Sequence, residues 1–101
     1  MALVWLSYDL GLRGDYDDLY AWLDEHSAKE CGDSLAVLDF DGSIDDLKKS
    51  LKADVEFGRH ARVYVVYQIE RVYKGRFIIG SRKRAPWEGY SGAEEEEPDE
   101  G

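Results

Sequence analysis

The order of apolar patterns along the chain constrains its fold more than any other feature. Residues 3–8 and 34–40 are runs of strand-forming side chains, and residues 62–69 are almost entirely β-branched or aromatic. Residues 76–80 form a fourth such run. Two segments with helical spacing of their apolar side chains separate the first three runs. The predicted order is therefore strand, helix, strand, helix, strand, strand.

The starts of both helices carry recognisable capping residues. Asp15 is predicted to cap a first helix over residues 15–27, because its carboxylate can accept from free backbone N–H groups. Ser43 is predicted to start the second helix, with Asp46 three residues later completing a capping box. With right-handed crossovers, these elements predict an α/β (α+β) two-layer sandwich. We expect two helices on one face of a four-stranded sheet, with the order βαβαββ.

The charge of the chain is distributed unevenly along its length. Its formal net charge is −9, yet residues 58–92 contain eight basic and two acidic side chains. Residues 1–57 contain 14 acids and 5 bases, and residues 93–101 add six acids without a base. Because residues 93–101 have no apolar side chain larger than alanine, we expect them to be a disordered acidic tail. Residues 1–92 are predicted to form a single domain.

The compartment is predicted from the cysteine content and from the apolar segments. The single cysteine, Cys31, cannot form an internal disulfide and suits a reducing compartment. No stretch approaches the roughly 18 apolar residues of a membrane span. We therefore expect a cytoplasmic protein without a membrane partner. Cys31 is predicted to be a small buried residue rather than a nucleophile.

A basic and aromatic segment near the end of the chain is the predicted binding site. Such a mixture of side chains is typical of protein interaction sites and of sites that contact phosphates and stack bases. A structural alternative is that the bases protect an edge strand from pairing with other chains. The predicted binding residues are Arg82, Lys83, Arg84, Trp87 and Tyr90, together with Lys74 and Arg76 in the preceding strand.

Part of the chain resembles a known family. The resemblance lies in three parts of the chain. They are Ser7-Tyr8-Asp9-Leu10, the segment Gly-Asp-Tyr-Asp-Asp-Leu-Tyr-Ala-Trp-Leu at residues 14–23, and the strand and Ser-initiated helix that follow. Over residues 3–69 the chain resembles small ferredoxin-like proteins grouped with the CRISPR-associated spacer-acquisition family. The resemblance implies a ferredoxin-like fold. It also implies a homodimer in which Asp9 of each subunit contributes to a metal-dependent nuclease site.

Other motifs fail on their spacing. Asp39-Phe40-Asp41-Gly42 resembles the start of a calcium loop, but Ser50 stands where the loop needs a closing glutamate. No phosphate-binding glycine loop is present in the sequence. A metal at Asp9, assisted by Asp15, Asp39 or Asp41, stays an alternative to a loop acid that caps a turn. We predict no cofactor.

Three classes of function remain open from the sequence. We favour a small non-enzymatic binding or regulatory protein that recognises a partner protein through its C-terminal segment. Homodimerisation through an edge strand or the helix-free face of the sheet is compatible with this function, and nucleic acid is a less favoured partner. The alternatives are a metal-dependent nuclease that uses Asp9, and an acidic mimic of nucleic acid built from the acids of residues 9–56.

Overall fold

The computed structural model describes residues 2–92, which form five strands and two helices. Residues 93–101, the predicted acidic tail, lie outside the described residues. The elements in chain order are β1 (Ala2–Asp9), α1 (Tyr16–Glu25), β2 (Lys29–Gly32), β3 (Leu35–Phe40), α2 (Ile44–Asp54), β4 (Arg62–Ile69) and β5 (Val72–Ile79).

One antiparallel sheet contains all five strands in the order β2-β3-β1-β4-β5. Strand β1 is central, and its Leu6 pairs with Ala36 of β3 on one side and with Val65 of β4 on the other. Strands β2 and β5 form the two edges. The class of the fold is thus α+β.

The prediction of a four-stranded ferredoxin-like sheet with the order βαβαββ is wrong. A further strand, β2, pairs with β3 before the second helix begins, so the sheet has five strands. All four residues of Lys29–Gly32 are exposed, and their sequence therefore lacks the apolar alternation that marks a strand. The last strand also begins at Val72 rather than at residue 76, because the hairpin turns at Glu70 and Arg71.

The core lies between the helices and one face of the sheet. Val4 and Leu6 are fully buried on that face, whereas Leu3, which precedes Val4, is 47% exposed. The first strand therefore alternates between a buried face and a more exposed face. Both helices pack on the same face. The buried apolar residues are Val4, Leu6, Leu10, Leu19, Trp22, Leu23, Ala36, Leu38, Phe40, Leu47, Leu51, Val55, Ala61, Val63, Val65, Ile78 and Ile79.

Trp22 is the largest fully buried side chain and links the two helices. Its indole Nε1–H donates to the Ser50 hydroxyl of α2 at 2.9 Å, so the polar edge of the ring is satisfied in the core. The imidazole ring of His26 stacks on the indole with ring centroids 3.9 Å apart. His26 therefore has a packing role at the end of α1.

The predicted helix caps are confirmed. Asp15 accepts from the Asp18 N–H, and its second carboxylate oxygen accepts from the Glu56 N–H at 3.1 Å, which ties α1 to the segment after α2. In α2 the Ser43 hydroxyl accepts from the Asp46 N–H, and the Asp46 carboxylate accepts from the Ser43 N–H. Both bonds of the capping box are present.

Candidate binding site

The segment over residues 81–90, called the C-terminal arm below, leaves β5 and runs as consecutive turns. The Glu88 N–H donates to the Ala85 carbonyl and the Tyr90 N–H to the Trp87 carbonyl, each at 3.1 Å. Gly89 adopts a left-handed φ of 86°, a conformation that glycine reaches without steric cost. The arm contains neither a helix nor a strand.

A cleft of about 450 Å³ lies between the arm and the helix-free face of the sheet. We call it the arm cleft. Arg82, Pro86 and Trp87 line it from the arm, and Tyr64 and Phe77 line it from the sheet. Its volume is in the range of sites that hold one or two side chains or a small ligand.

Strand register brings the sheet residues of the cleft together. Ser7 and Asp9 pair across β1 and β4 with Tyr64 and Arg62, and Tyr64 pairs with Phe77 of β5. Each of these positions alternates with a core residue, so all of their side chains lie on the helix-free face. The Tyr64 and Phe77 rings meet edge to face with centroids 4.9 Å apart.

Two ion pairs fix charged groups at the arm cleft. The Arg62 guanidinium donates to the Asp9 carboxylate at 3.0 Å, and Asp9 also accepts from the Gly11 N–H. Within the arm, Arg84 donates to Glu88 at 2.8 Å, and this bond lowers the pKa of the Glu88 carboxyl. Within residues 2–92, Arg82 has no acidic partner. The arm therefore presents to the cleft a cation that no acid of this range neutralises.

The structure divides the predicted binding residues into two groups. Arg82, Arg84 and Trp87 line the arm cleft, and Lys83 and Tyr90 are exposed elsewhere on the same arm. By contrast, Lys74 and Arg76 lie on the side of β5 that faces the helices, since they pair with the inward positions of β4. Arg76 donates to Asp45 of α2 at 2.8 Å. Neither of these two β5 side chains lines the arm cleft.

Four aromatic residues of the helix-free face were missed by sequence reasoning. Trp5 and Tyr73 contact each other with centroids 6.3 Å apart, next to the Tyr64–Phe77 pair. The signal was the two-residue alternation along β5, where Tyr73, Gly75 and Phe77 share a face. Placing the hairpin turn at Glu70 and Arg71 would have predicted that Tyr73 and Phe77 lie on one face of β5.

The carboxylates considered for a metal site at Asp9 lie apart. Asp39 pairs with Leu3 near the start of β1, whereas Asp9 ends that strand. Asp15 caps α1 with both of its oxygens occupied. Residues 2–92 contain no group of three or more His, Cys, Asp or Glu side chains that could hold a metal ion.

A second cavity, of about 280 Å³, lies between α1 and the edge strand β2. Tyr8 and Tyr20 line it together with Asp24 and Glu30, and we call it the tyrosine cavity. The two tyrosine rings are nearly perpendicular, with centroids 6.2 Å apart. Burial, together with a hydrogen bond to Tyr20, raises the pKa of the Tyr8 hydroxyl to about 12.

Cys31, beside the tyrosine cavity on β2, is exposed. The prediction that it is buried is wrong, because all four residues of the edge strand β2 are exposed. Its Sγ lies 3.8 Å from the Leu35 carbonyl, a weak contact across the hairpin.

Comparison with known proteins gives no relative for this chain. No family model, no curated protein and no solved structure matches it. Among residues 2–92, no helix combines the length and the apolar character that crossing a membrane requires. The interpretation of the site therefore depends on its own geometry.

Proposed function

We propose that this protein is a non-enzymatic binding protein that holds a short segment of a partner protein in the arm cleft. The observation that supports the proposal best is the position of Trp87. Its side chain lines the cleft opposite the Tyr64–Phe77 pair, yet it is 73% exposed. A large aromatic side chain left in solvent beside a preformed cleft is typical of an interaction site.

Covering Trp87 would contribute favourably to the free energy of binding. An indole side chain offers roughly 200 Å² of surface, so burying its exposed part would stabilise a complex by about 3 kcal/mol. Tyr90, which is 88% exposed, lies three residues further along the arm and offers a second aromatic contact. The two residues belong to the types enriched at binding hot spots.

The charge of the arm selects the chemistry of the partner segment. Arg82 and Lys83 have no acidic partner in the part of the chain that the structure describes. A carboxylate on the partner would pair with them, although each exposed pair contributes only about 0–1 kcal/mol. Such pairs act mainly on association rate and specificity. The expected segment therefore carries an apolar or aromatic side chain next to an acid.

A protein partner is favoured over a nucleic acid by the number of available cations. Binding of nucleic acid depends on several phosphate contacts, each made by a free Lys or Arg. Here Arg62, Arg76 and Arg84 are already paired with carboxylates. The net charge of −9 also repels a polyanion at long range. The exposed thiol of Cys31 suits a reducing compartment, and we place the interaction in the cytoplasm.

The alternative functions find less support in the described residues. Asp9 forms an ion pair with Arg62, which occupies the carboxylate that a nuclease would use for its metal. Acids that a nucleic-acid mimic would need, such as Asp15 and Asp46, cap helices instead.

A peptide-display selection on the full chain tests the proposal. We expect selected peptides to place Asp or Glu beside an aromatic or aliphatic residue. Trp87→Ala should weaken their binding by about tenfold or more, and Arg82→Glu should weaken it at low salt. Leu12→Ala is the matched control, because Leu12 is fully exposed in the loop after β1 and does not line the arm cleft.

Two results would contradict the proposal. One is peptide binding that Trp87→Ala leaves unchanged. The other is binding of a single-stranded DNA oligonucleotide more tightly than any selected peptide, which would assign the cleft to nucleic acid.

A further inference from the structure

The C-terminal turn of α1 contains two acids that folding does not explain. Asp24 and Glu25 stand at the negative end of the helix dipole, where carboxylates are destabilising. The last turn of α1 contains no basic residue, and neither acid has an ion pair with any residue of 2–92. By contrast, Asp17 and Asp18 stand at the favourable end of the same helix. Asp24 lines the tyrosine cavity.

The walls of the tyrosine cavity combine aromatic rings with carboxylates. Tyr8 and Tyr20 present ring surface, and Asp24 and Glu30 present negative charge from α1 and from β2. Leu23 and Leu35 add apolar surface. Cations bind favourably to the faces of aromatic rings, and carboxylates nearby strengthen that attraction. Tyrosine hydroxyls are uncharged at neutral pH, so the carboxylates are the source of the negative charge.

The surroundings of the cavity are acidic as well. Helix α1 contains four acids and no base, and Asp33 follows β2 in the hairpin. Lys29 is the one basic side chain among the described residues that line the cavity, and it forms no ion pair with Asp24 or Glu30. The local field therefore attracts a cationic partner.

We propose that the tyrosine cavity binds the cationic side chain of a lysine or arginine, presented by a basic segment of a partner protein. The volume of about 280 Å³ suits one side chain rather than a whole small-molecule ligand. Apolar residues contact the aliphatic stem, the tyrosine rings contact the charged head, and Asp24 and Glu30 neutralise it. This site is separate from the arm cleft, with which it shares only Tyr8. It stands whether or not the arm binds a peptide.

A titration of the full chain followed by amide NMR tests this proposal. The probe is a blocked hexapeptide of alternating lysine and glycine, compared with the same peptide after acetylation of its lysines. We expect the unmodified peptide to shift the amides of Asp24 and of residues 28–30. Its affinity should exceed that of the acetylated peptide by about tenfold or more, and should fall with salt.

Variants separate a specific site from general charge attraction. Asp24→Asn with Glu30→Gln should weaken lysine-peptide binding by about tenfold. The matched control, Asp54→Asn with Glu56→Gln, removes two exposed acids elsewhere and should change it by less than about twofold. Tyr20→Ala should weaken binding and Tyr20→Phe should restore it, because the ring and not the hydroxyl contacts the cation. Trp87→Ala should leave the affinity for the lysine peptide unchanged.

The proposal is overturned if the acetylated peptide binds as tightly as the unmodified one. It is also overturned if the control double substitution at residues 54 and 56 weakens binding as much as the double substitution at residues 24 and 30. Amide shifts confined to the arm would also overturn it.

Discussion

Gly75 is the residue on which the floor of the arm cleft depends most directly. A Cβ atom at this position would lie 2.5 Å from the hydroxyl oxygen of Tyr64 and 2.7 Å from its Cε1. Both distances are shorter than any ordinary contact, so the Tyr64 ring occupies the space that a side chain on β5 would fill. The glycine thereby allows the ring to lie across β5 and to meet Phe77.

We predict that Gly75→Ala displaces the Tyr64 ring without unfolding the protein. Loss of the aromatic pair, partly offset by the lower conformational entropy cost of alanine, should lower the free energy of unfolding by at most about 1 kcal/mol. Urea denaturation measures the stability, and the ring-proton shifts of Phe77 report the contact. Gly58→Ala is the control, since a Cβ atom at residue 58 would project into open space. Unchanged Phe77 shifts in Gly75→Ala would contradict this account.

The sequence predicted some residues of the arm cleft and not others. Trp87 and Arg82 stand in a segment with no strand or helix pattern, so their composition alone marked them as binding residues. Tyr64 lies in a strand whose residues are nearly all apolar or aromatic, and composition does not show which of them face the core. Its orientation follows from pairing with β1, a contact far away in sequence.

Among the elements, the helices were predictable and the edge strand β2 was not. Helix starts depend on contacts three residues apart, so Ser43 and Asp46 identified the start of α2 locally. Strand β2 is held by pairing with β3 and contains a register shift between Glu30 and Gly32. Its side chains are all exposed, so they show no apolar alternation from which that pairing could be predicted.

The capping box of α2 predicts a specific response to acid. The Ser43 N–H donates to the Asp46 carboxylate, and this bond lowers the pKa of Asp46 below its ordinary value of 3.8. A lowered pKa contributes stability above the ordinary value, and that stability is lost as the pH falls through the lowered one. Asp46→Asn should therefore lower stability at neutral pH and flatten its dependence on pH below about 4.

Urea unfolding at a series of pH values measures this effect of Asp46. Asp54→Asn is the control, because it removes an exposed acid from the opposite end of the same helix. Equal acid dependence in the parent and in Asp46→Asn would show that the capping bond does not stabilise the ionised form.

For the whole molecule, the central position of β1 joins parts of the chain that are far apart. Its two neighbours, β3 and β4, are separated from each other by α2. The order of elements predicted from the sequence, βαβαββ, failed because the edge strand β2 was missing from it. The core positions were more predictable, since they follow from local periodicity.

We predict that amide hydrogen exchange is slowest at the centre of the sheet. Opening Leu6 requires the loss of pairing on both sides and of the core, so its amide should exchange only through global unfolding. Amides of Lys29–Gly32 should exchange faster, because local fraying exposes an edge strand. Exchange followed by NMR measures both. Equal protection of β1 and β2 would contradict the prediction.

The three tryptophans of the chain occupy three different environments. Trp22 is sealed in the core, Trp5 is half-buried on the helix-free face, and Trp87 stands in solvent on the arm. Indole emission shifts to longer wavelength as the ring becomes more hydrated. The fluorescence of the native protein is therefore the sum of three emission spectra with different maxima. Replacing two tryptophans with phenylalanine at a time would give the core, the sheet face and the arm each its own built-in fluorophore.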